Sequence, residues 1–391
     1  MRILWVPHLP WAAMEGQREW QLIRRLLPRG HEIHVLTWEV IARASALVST
    51  LRSRTEREGS LLIHRAVRLP NPVGRITGDY ARGFRPNEWL FQRHVRKILA
   101  EQPFDLFIYG INHKAVGLPP FDVGVPRIFD YLDLITYPEI ESAYLRNSDA
   151  IFCTSSVLAD RVRERGGRAV YLPNGVDAQR IAAGHGDTVR ERLGLSGKKV
   201  VSLIGLTCSP TLFFIDAIAE ARRVVPDIVF LAVGAAGWLP HEGLGRFEAR
   251  CRERGVPLVA TGPVPHLRIA DYFAATDVGL YPGDATPYFD AACPIKVLEY
   301  SAAGKPVVAT DLTELRRLGF PNVYLSPPEP TAFADRIVSA LRAEAARPDL
   351  SAFDWDVLAR RFEEGCEVVV SRRRSAPSPA EATAALAGWS H

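Results

Sequence analysis

No run in this 391-residue sequence approaches the ~18 consecutive apolar residues of a membrane-spanning helix. The first residues, Met1-Arg2-Ile3-Leu4-Trp5-Val6-Pro7, are apolar only briefly before charges follow, so they do not read as a signal peptide. Cysteine is sparse and unpatterned: Cys153, Cys208, Cys251, Cys293 and Cys366 are odd in number and form no C-x-x-C pair. That argues against a zinc site and a disulfide framework, and for free thiols in a reducing cytoplasm. A dominant charge sign is also missing. Lys and Arg total 48 against 44 Asp and Glu, a net +4 that mildly favours anionic ligands and gives no reason to expect nucleic acid. None of the aspartate clusters is assignable to a metal, although Asp284 and Asp290 stand near the most informative segment. Neither a metal nor a resident cofactor is therefore expected.

What is present is ordinary for a globular chain, with 47% apolar and 24% charged residues. The length suits two domains. The first half alternates short β-type runs with helical patterns. Arg2 to Val6 is followed by Gly16 to Leu27, where Trp20, Ile23, Leu26 and Leu27 share a helical face. Strands are expected at Ile33 to Trp38, Asp105 to Tyr109, Val125 to Asp130, Ala150 to Cys153 and Ala169 to Leu172. Such alternation predicts a parallel sheet covered by helices. Residues 52–87 are less regular and rich in arginine (Arg52, Arg54, Arg57, Arg75, Arg82). They read as a solvated excursion, or else as an acceptor-binding or membrane-surface loop.

Pro173-Asn174-Gly175-Val176-Asp177 closes a domain spanning 1–177, and a polar stretch through Gly197 reads as a linker. The α/β pattern then restarts and defines a second domain over 198–352. Phe353 to Arg374 reads as one long helix, expected to pack back on the first domain. The Ala-, Ser- and Pro-rich tail 375–391 is expected to be flexible. Two doubly wound domains facing a central cleft would place helix N-termini around a bound diphosphate.

The segment Cys293-Pro294-Ile295-Lys296-Val297-Leu298-Glu299-Tyr300-Ser301-Ala302-Ala303-Gly304-Lys305-Pro306-Val307-Val308-Ala309-Thr310 carries the most chemistry. Pro294 suits a helix start, where unpaired N–H groups and the helix dipole favour a phosphate. Lys296 in that first turn adds a positive charge. Glu299, one turn on, shares its face and can accept two hydrogen bonds from a ribose diol. Taken alone, the two would read as a surface ion pair. Gly304 stops the helix and Pro306 opens a buried strand.

The run Pro-x-Lys-x-x-Glu-Tyr-x-Ala-Ala-Gly-Lys-Pro-Val-Val-Ala resembles the donor-site signature of family 4 glycosyltransferases (glycosyltransferase group 1) and their relatives with the two-domain GT-B fold. Ser155-Ser156, Pro173 to Asp177, Thr261-Gly262-Pro263-Val264-Pro265 and Tyr272 to Leu280 extend the resemblance in family order. It implies that Glu299 binds the donor ribose and Lys296 the diphosphate. The backbone near Val264 would meet the base, and Ala292 and Cys293, just before Pro294, would offer N–H groups to phosphate. Gly16, Gly205 and Gly234 complete the implied donor set. The sequence departs from the family in three places. Ala291, beside Asp290, stands where many members carry Glu. The loop Gly205-Leu206-Thr207-Cys208-Ser209-Pro210 has no cation, which leaves hydroxyls of Thr207 and Ser209. The glycine-rich loop of the first domain is reduced to Glu15-Gly16-Gln17-Arg18.

In the first domain, His113 of Tyr109-Gly110-Ile111-Asn112-His113 resembles the family residue near the donor sugar's 6-hydroxyl. Asp133, in Asp130-Tyr131-Leu132-Asp133, follows a strand that reaches the cleft. It could orient an acceptor hydroxyl or remove its proton, or simply cap the next helix. His8, after the first strand, is a third candidate near the acceptor. His31 and His34 read as structural. Catalytic roles are thus expected of His113, Asp133 and Lys296, and acceptor contacts of His8 and Asp133.

The implied activity moves a hexosyl group from a nucleotide-diphosphate sugar to a hydroxyl acceptor, with retention and without a metal. UDP-sugar is the expected donor, with GDP- and dTDP-sugars open. The alternatives are an inverting, glucuronosyltransferase-like enzyme with Asp133 as base, a nucleotide-sugar epimerase, and an inactive nucleotide-sugar-binding relative. A cytoplasmic location is expected, with peripheral contact at the inner membrane face left open by the arginine-rich stretch.

Overall fold

A computed structural model describes residues 1–40, 54–68, 85–111, 123–205, 208, 211–234, 245–344 and 346–374. The chain divides into two compact units, Met1–Pro173 with Asp356–His391, and Asn174–Trp355.

The first unit is built on an eight-stranded sheet in the order β3-β4-β2-β1-β5-β6-β7-β8. The strands are β1 (Arg2–Val6), β2 (Glu32–Val40), β3 (Arg54–Glu58), β4 (Leu61–Arg68), β5 (Leu106–Ile111), β6 (Arg127–Tyr131), β7 (Ala150–Cys153) and β8 (Ala169–Tyr171). Runs such as β1 and β7 are apolar on both faces and almost wholly buried, as strands covered by helices must be. All pairings are parallel except β3 with β4.

Two expectations need correction here. Part of the arginine-rich stretch is sheet rather than excursion: β4 pairs with β2 along its whole length, and β3 folds back on it at the edge. Leu61, Ile63 and Ala66 drive this by being buried. Arg54 and Arg57 lie on the edge strand, whereas Arg52, Arg75 and Arg82 fall outside the described residues. The helix after β1 runs Arg18–Leu26, and its buried face is Arg18, Glu19, Leu22, Ile23 and Leu26. Trp20 instead lies half-exposed under the Arg24 guanidinium, 5.6 Å from its ring centroid. Two charged residues, Arg18 and Glu19, belong to the buried face, which the apolar spacing does not include.

The helix Trp355–Arg374 covers this sheet: Phe362 stacks on Trp5 at 5.2 Å and meets Phe152 edge-on at 5.1 Å. His31 Nε2 donates to Glu363 Oε1 on that helix at 2.6 Å, and His34 contacts His64 at 2.9 Å, so both histidines are bound into the framework.

The second unit has six parallel strands in the order β11-β10-β9-β12-β13-β14. They are β9 (Lys199–Ile204), β10 (Ile228–Val233), β11 (Leu258–Ala260), β12 (Val278–Tyr281), β13 (Val307–Thr310) and β14 (Val323–Ser326). Apolar clusters lie on both faces of the sheet, one including Val200, Leu231 and Tyr300, the other Val201, Phe230 and Phe333. Residues 178–197 do not act as a linker. They form helices Ala178–Ala182 and Gly186–Arg192 and the turn after them, which bury Ile181, Val189 and Leu195 in the first cluster. Gly184 and Gly186 permit this docking, because a Cβ would lie 2.2 Å from the Ala270 carbonyl oxygen at one and 2.6 Å from the Ala274 carbonyl carbon at the other.

Among the parallel strands of each sheet the order reverses once, between β1 and β5 in the first unit and between β9 and β12 in the second. In open α/β sheets such a switch point, at the carboxyl ends of the strands, is where ligands bind.

Candidate functional site

At the switch point of the second unit, β9 ends and the chain turns at Gly205 with φ +74°. Its N–H donates to the Val233 carbonyl at 2.8 Å. The left-handed backbone favours glycine, and the missing Cβ, which would lie 2.8 Å from Lys296 Cε, lets the lysine stem pass close over the turn. Lys296 springs from the first turn of the helix Ile295–Ala302. Pro294 occupies the cap position, and no side chain caps that end. An uncapped helix start presents backbone N–H groups and the positive end of the dipole to an anion.

Lys296 Nζ donates to Glu299 Oε2 at 2.6 Å and lies 5.7 Å from the centroid of the Phe273 ring. The two members of the pair differ in exposure, 32% for the lysine side chain and 6% for the glutamate. The carboxylate is therefore buried beneath the lysine while the ammonium reaches the surface. This pairing offers one cation for phosphate oxygens and a carboxylate with acceptor capacity to spare for hydroxyls.

The helix itself is immobilised by Tyr300. Its hydroxyl donates to the Ser202 carbonyl at 3.0 Å, meets Ser202 Oγ at 2.9 Å and accepts from Ile204 N–H at 3.1 Å. Asn174 fastens the loop before the helix, its Nδ2 donating to the Cys293 carbonyl at 2.9 Å. From Asn174 onward the Pro-Asn-Gly-Val-Asp motif thus acts inside the second unit, with Asp177 capping the helix that follows it.

Other expected donor residues are placed less directly. The Ala292 N–H turns inward to the Phe289 carbonyl at 3.2 Å rather than towards a phosphate. Asp290 accepts from Thr313 N–H at 2.6 Å and Thr313 Oγ1 at 2.7 Å, so it caps the helix Thr313–Leu318. Gly234 donates to the Gly262 carbonyl at 2.9 Å, which ties the end of β10 to the turn that carries Val264. Thr207 and Ser209 lie outside the described residues; Cys208 between them has its thiol pushed up to about 12 by burial. Among the described residues no three His, Cys, Asp or Glu side chains gather as a metal site.

The switch point of the first unit holds a buried charged cluster. His8 follows β1. Its ring Nδ1 is hydrogen-bonded to Glu19 Oε2, and its backbone N–H reaches both Glu19 oxygens at 3.2 and 3.3 Å. Glu19 is fully buried. Gly110 of β5 makes room for it, since a Cβ there would lie 2.4 Å from Glu19 Oε1. Next to Glu19 in sequence, Arg18 Nε donates to both Asp130 oxygens at 3.1 Å, and Nη1 donates to the Pro173 carbonyl at 2.7 Å.

Burial would lower the His8 pKa, but the Glu19 carboxylate, helped by Asp133 and Asp130, outweighs it and leaves the value raised. Burial also pushes the Asp130 carboxyl up, against the pull of Arg18. Asp130 is therefore a structural ion-pair partner and not a cleft aspartate. Asp133 is half-buried and does not cap the next helix, Pro138–Arg146, whose cap position is Tyr137. Gly16, with φ +79°, forms the turn that leads into the helix carrying Arg18 and Glu19. His113 lies outside the described residues. Sequence reasoning missed Arg18 and Glu19. The available signal was spacing: Glu19, Leu22, Ile23 and Leu26 follow the i, i+3, i+4, i+7 rule for one buried face.

Residues 199–343 match the family model described as glycosyl transferases group 1. The chain is 32% identical over 194 residues, 47% of either chain, to a putative teichuronic acid biosynthesis glycosyltransferase, TuaH, of Bacillus subtilis. It is 28% identical over 223 residues to a phosphatidyl-myo-inositol mannosyltransferase of Mycobacterium tuberculosis, covering 52% of this chain and 55% of the relative. The chain thus spans about half the length of the curated relatives it matches. Among solved structures, sucrose-phosphate synthase from Thermosynechococcus elongatus aligns with a TM-score of 0.71 at 16% identity, over 95% of this chain and 100% of that one. Anabaena HepE in complex with UDP and glucose aligns with a TM-score of 0.66 at 18% identity, over 94% and 99%. The chain has a GT-B fold of two Rossmann-like units, and the second of them carries the match to the glycosyl transferases group 1 model.

Proposed function

We propose that this protein is a glycosyltransferase that moves a hexosyl group from a nucleoside diphosphate sugar, UDP-linked in the first instance, to a hydroxyl acceptor. The observation that carries the reading is the Lys296–Glu299 pair over Gly205, at an uncapped helix start on a switch point. A departing diphosphate needs positive charge that is already in place, and Lys296 with the helix start supplies it. Glu299, held beneath the lysine, would take the ribose hydroxyls. Gly205 and Gly234 would allow close approach of the donor, the backbone at Val264 would meet the base, and the loop at Cys293 would face the phosphates. Because the protein meets the phosphate charge itself, the reading invokes no metal. A UDP complex with glucose in the HepE relative supports the choice of donor.

The acceptor is assigned to the first unit, where His8 and Asp133 follow strand ends. The stereochemical course depends on which group takes the acceptor's proton. The leaving phosphate acting from the same face gives retention, and a side chain acting from the opposite face gives inversion.

Titrating UDP-glucose, GDP-mannose and dTDP-glucose by calorimetry, then measuring nucleotide release with and without hydroxyl acceptors, tests the reading. Binding together with acceptor-stimulated nucleotide release supports it. Binding with rearrangement of the sugar and no release means an epimerase, and binding without either means a nucleotide-sugar-binding protein.

A further inference from the structure

We propose that Asn174 is a positioning residue for diphosphate recognition: it holds the Cys293 carbonyl away from the helix start, so that the N–H groups of Ile295 and Lys296 stay free for the anion. The inference rests on the donor reading above. It adds a residue 119 positions before Cys293 that acts on the donor only through this loop.

A helix start binds an anion through N–H groups that have no partner in the protein. Few are left here. Val297 N–H donates to the Pro294 carbonyl at 3.1 Å, and Leu298 N–H reaches the same oxygen at 3.4 Å. Pro294 has no N–H to give. Among the described residues, the N–H groups of Ile295 and Lys296 make no hydrogen bond, so these two carry the backbone share of the task. The group that threatens them is the Cys293 carbonyl. Turned inwards, it could accept from Lys296 N–H three residues on, the 3₁₀-type bond with which helix ends commonly satisfy themselves. That bond would consume one of the two donors. It would also place the negative end of a peptide dipole where the phosphate has to sit.

Asn174 prevents this by taking the carbonyl for itself, with Nδ2 donating at 2.9 Å. The residue is 8% exposed, so water does not compete for the bond. Its own position is set by the residues that follow. Val176 N–H donates to the Phe353 carbonyl at 2.8 Å, and Val176 bridges to Asp354. Asp177 Oδ1 accepts from Arg180 N–H at 3.1 Å and so caps the helix Ala178–Ala182, which packs on the helix Ile295–Ala302. Asn174 and the helix start it serves are thus parts of one packed assembly inside the second unit.

Folding alone gives no reason for an amide here. Asn174 Oδ1 is buried and has no hydrogen-bond partner among the described residues. An orphaned acceptor costs stability, and an apolar side chain would avoid that cost. What an apolar side chain cannot do is hold the Cys293 carbonyl.

The test uses the full chain, with UDP and uridine as ligands and thermal unfolding as the control for folding. Asn174→Ala and Asn174→Asp should each raise the Kd for UDP at least ~10-fold at neutral pH, the effect of losing one charged hydrogen bond. The Kd for uridine should stay within about twofold, because only the diphosphate uses the helix start. A merely structural role would move both ligands together. The aspartate variant adds a second readout. Burial raises a carboxyl pKa, and the protonated group can again donate to the Cys293 carbonyl. Measured against wild type at each pH, UDP affinity should therefore recover in Asn174→Asp on acidification and not in Asn174→Ala. Equal loss of UDP and uridine binding, or UDP binding as in wild type, overturns the assignment of Asn174. Should neither variant fold, NMR of the wild-type protein decides. UDP, and not uridine, must shift the Ile295 and Lys296 amide protons, and the Asn174 side-chain amide must stay protected from exchange with UDP bound; failure of either overturns the proposal. Absence of UDP binding to wild type overturns the donor reading instead.

Discussion

Replacing Lys296 with methionine separates ligand binding from folding at the donor site. In the free protein the ammonium has a structural duty, because it neutralises a Glu299 carboxylate that is 6% exposed. Its removal leaves that carboxylate without its ion partner. The lysine is one-third exposed and water screens the pair, so the stability loss should be modest, about 1–2 kcal/mol. For a unit of this size that is a fall in Tm of a few degrees. The effect on UDP binding should be larger relative to its baseline. A charged hydrogen bond to a phosphate oxygen contributes roughly 1.5–3 kcal/mol, which weakens Kd by about 10- to 150-fold.

The double variant Lys296→Met/Glu299→Gln distinguishes the two effects. Removing the buried charge should return most of the lost stability but none of the lost affinity. Calorimetric titration with UDP, alongside thermal unfolding of both variants, reads the two quantities. If folded Lys296→Met binds UDP as wild type does, the lysine is only a lid on Glu299 and the donor-site argument fails.

Three further outcomes follow from the geometry. Arg18→Leu should cost about 3–5 kcal/mol in urea unfolding, because Asp130 is left buried without its counter-ion; Arg18→Leu/Asp130→Leu should recover much of this. Gly279→Ala would place a Cβ 2.5 Å from Cδ1 of Tyr300, whose ring is fixed by its hydroxyl bonds, so a loss of roughly 1–3 kcal/mol is expected, checked by chemical denaturation. Arg2, hydrogen-bonded to Glu32, and then His34 hold the Glu32 carboxyl at about 2, against an ordinary 4.5. A depressed carboxyl pKa adds stability above the unfolded value, and that stability is lost as pH falls from about 4.5 through about 2. Wild type and Glu32→Gln should therefore differ in Tm at pH 7 and converge near pH 2; equal Tm values at both would refute the linkage.

Much of the architecture was legible because local chemistry and tertiary need agree there. Val278 to Tyr281 is a continuous apolar run that only a doubly covered parallel strand can use, and it is β12. The helix at Ile295 was readable from its proline start and glycine stop, and the proximity of Lys296 and Glu299 follows from one helical turn. Local pattern failed where burial contradicted residue type. β4 contains His64 and Arg65, and polarity hid a strand paired along its whole length with β2. The segment 178–197 looked like a linker because its apolar residues are few, yet Ile181, Val189 and Leu195 each find a place in the core.

By itself, then, the sequence determined the α/β alternation, the helix that would cradle phosphate and the spacing of its two charged side chains, since each depends on neighbours within one turn or strand. The tertiary structure alone decided that Gly205 lies under Lys296, that Asn174 holds the Cys293 loop, and that Glu19 serves His8 while Arg18 serves Asp130. These pairings join residues 11 to 119 positions apart, and their partners are chosen by strand order and burial, which no local pattern encodes.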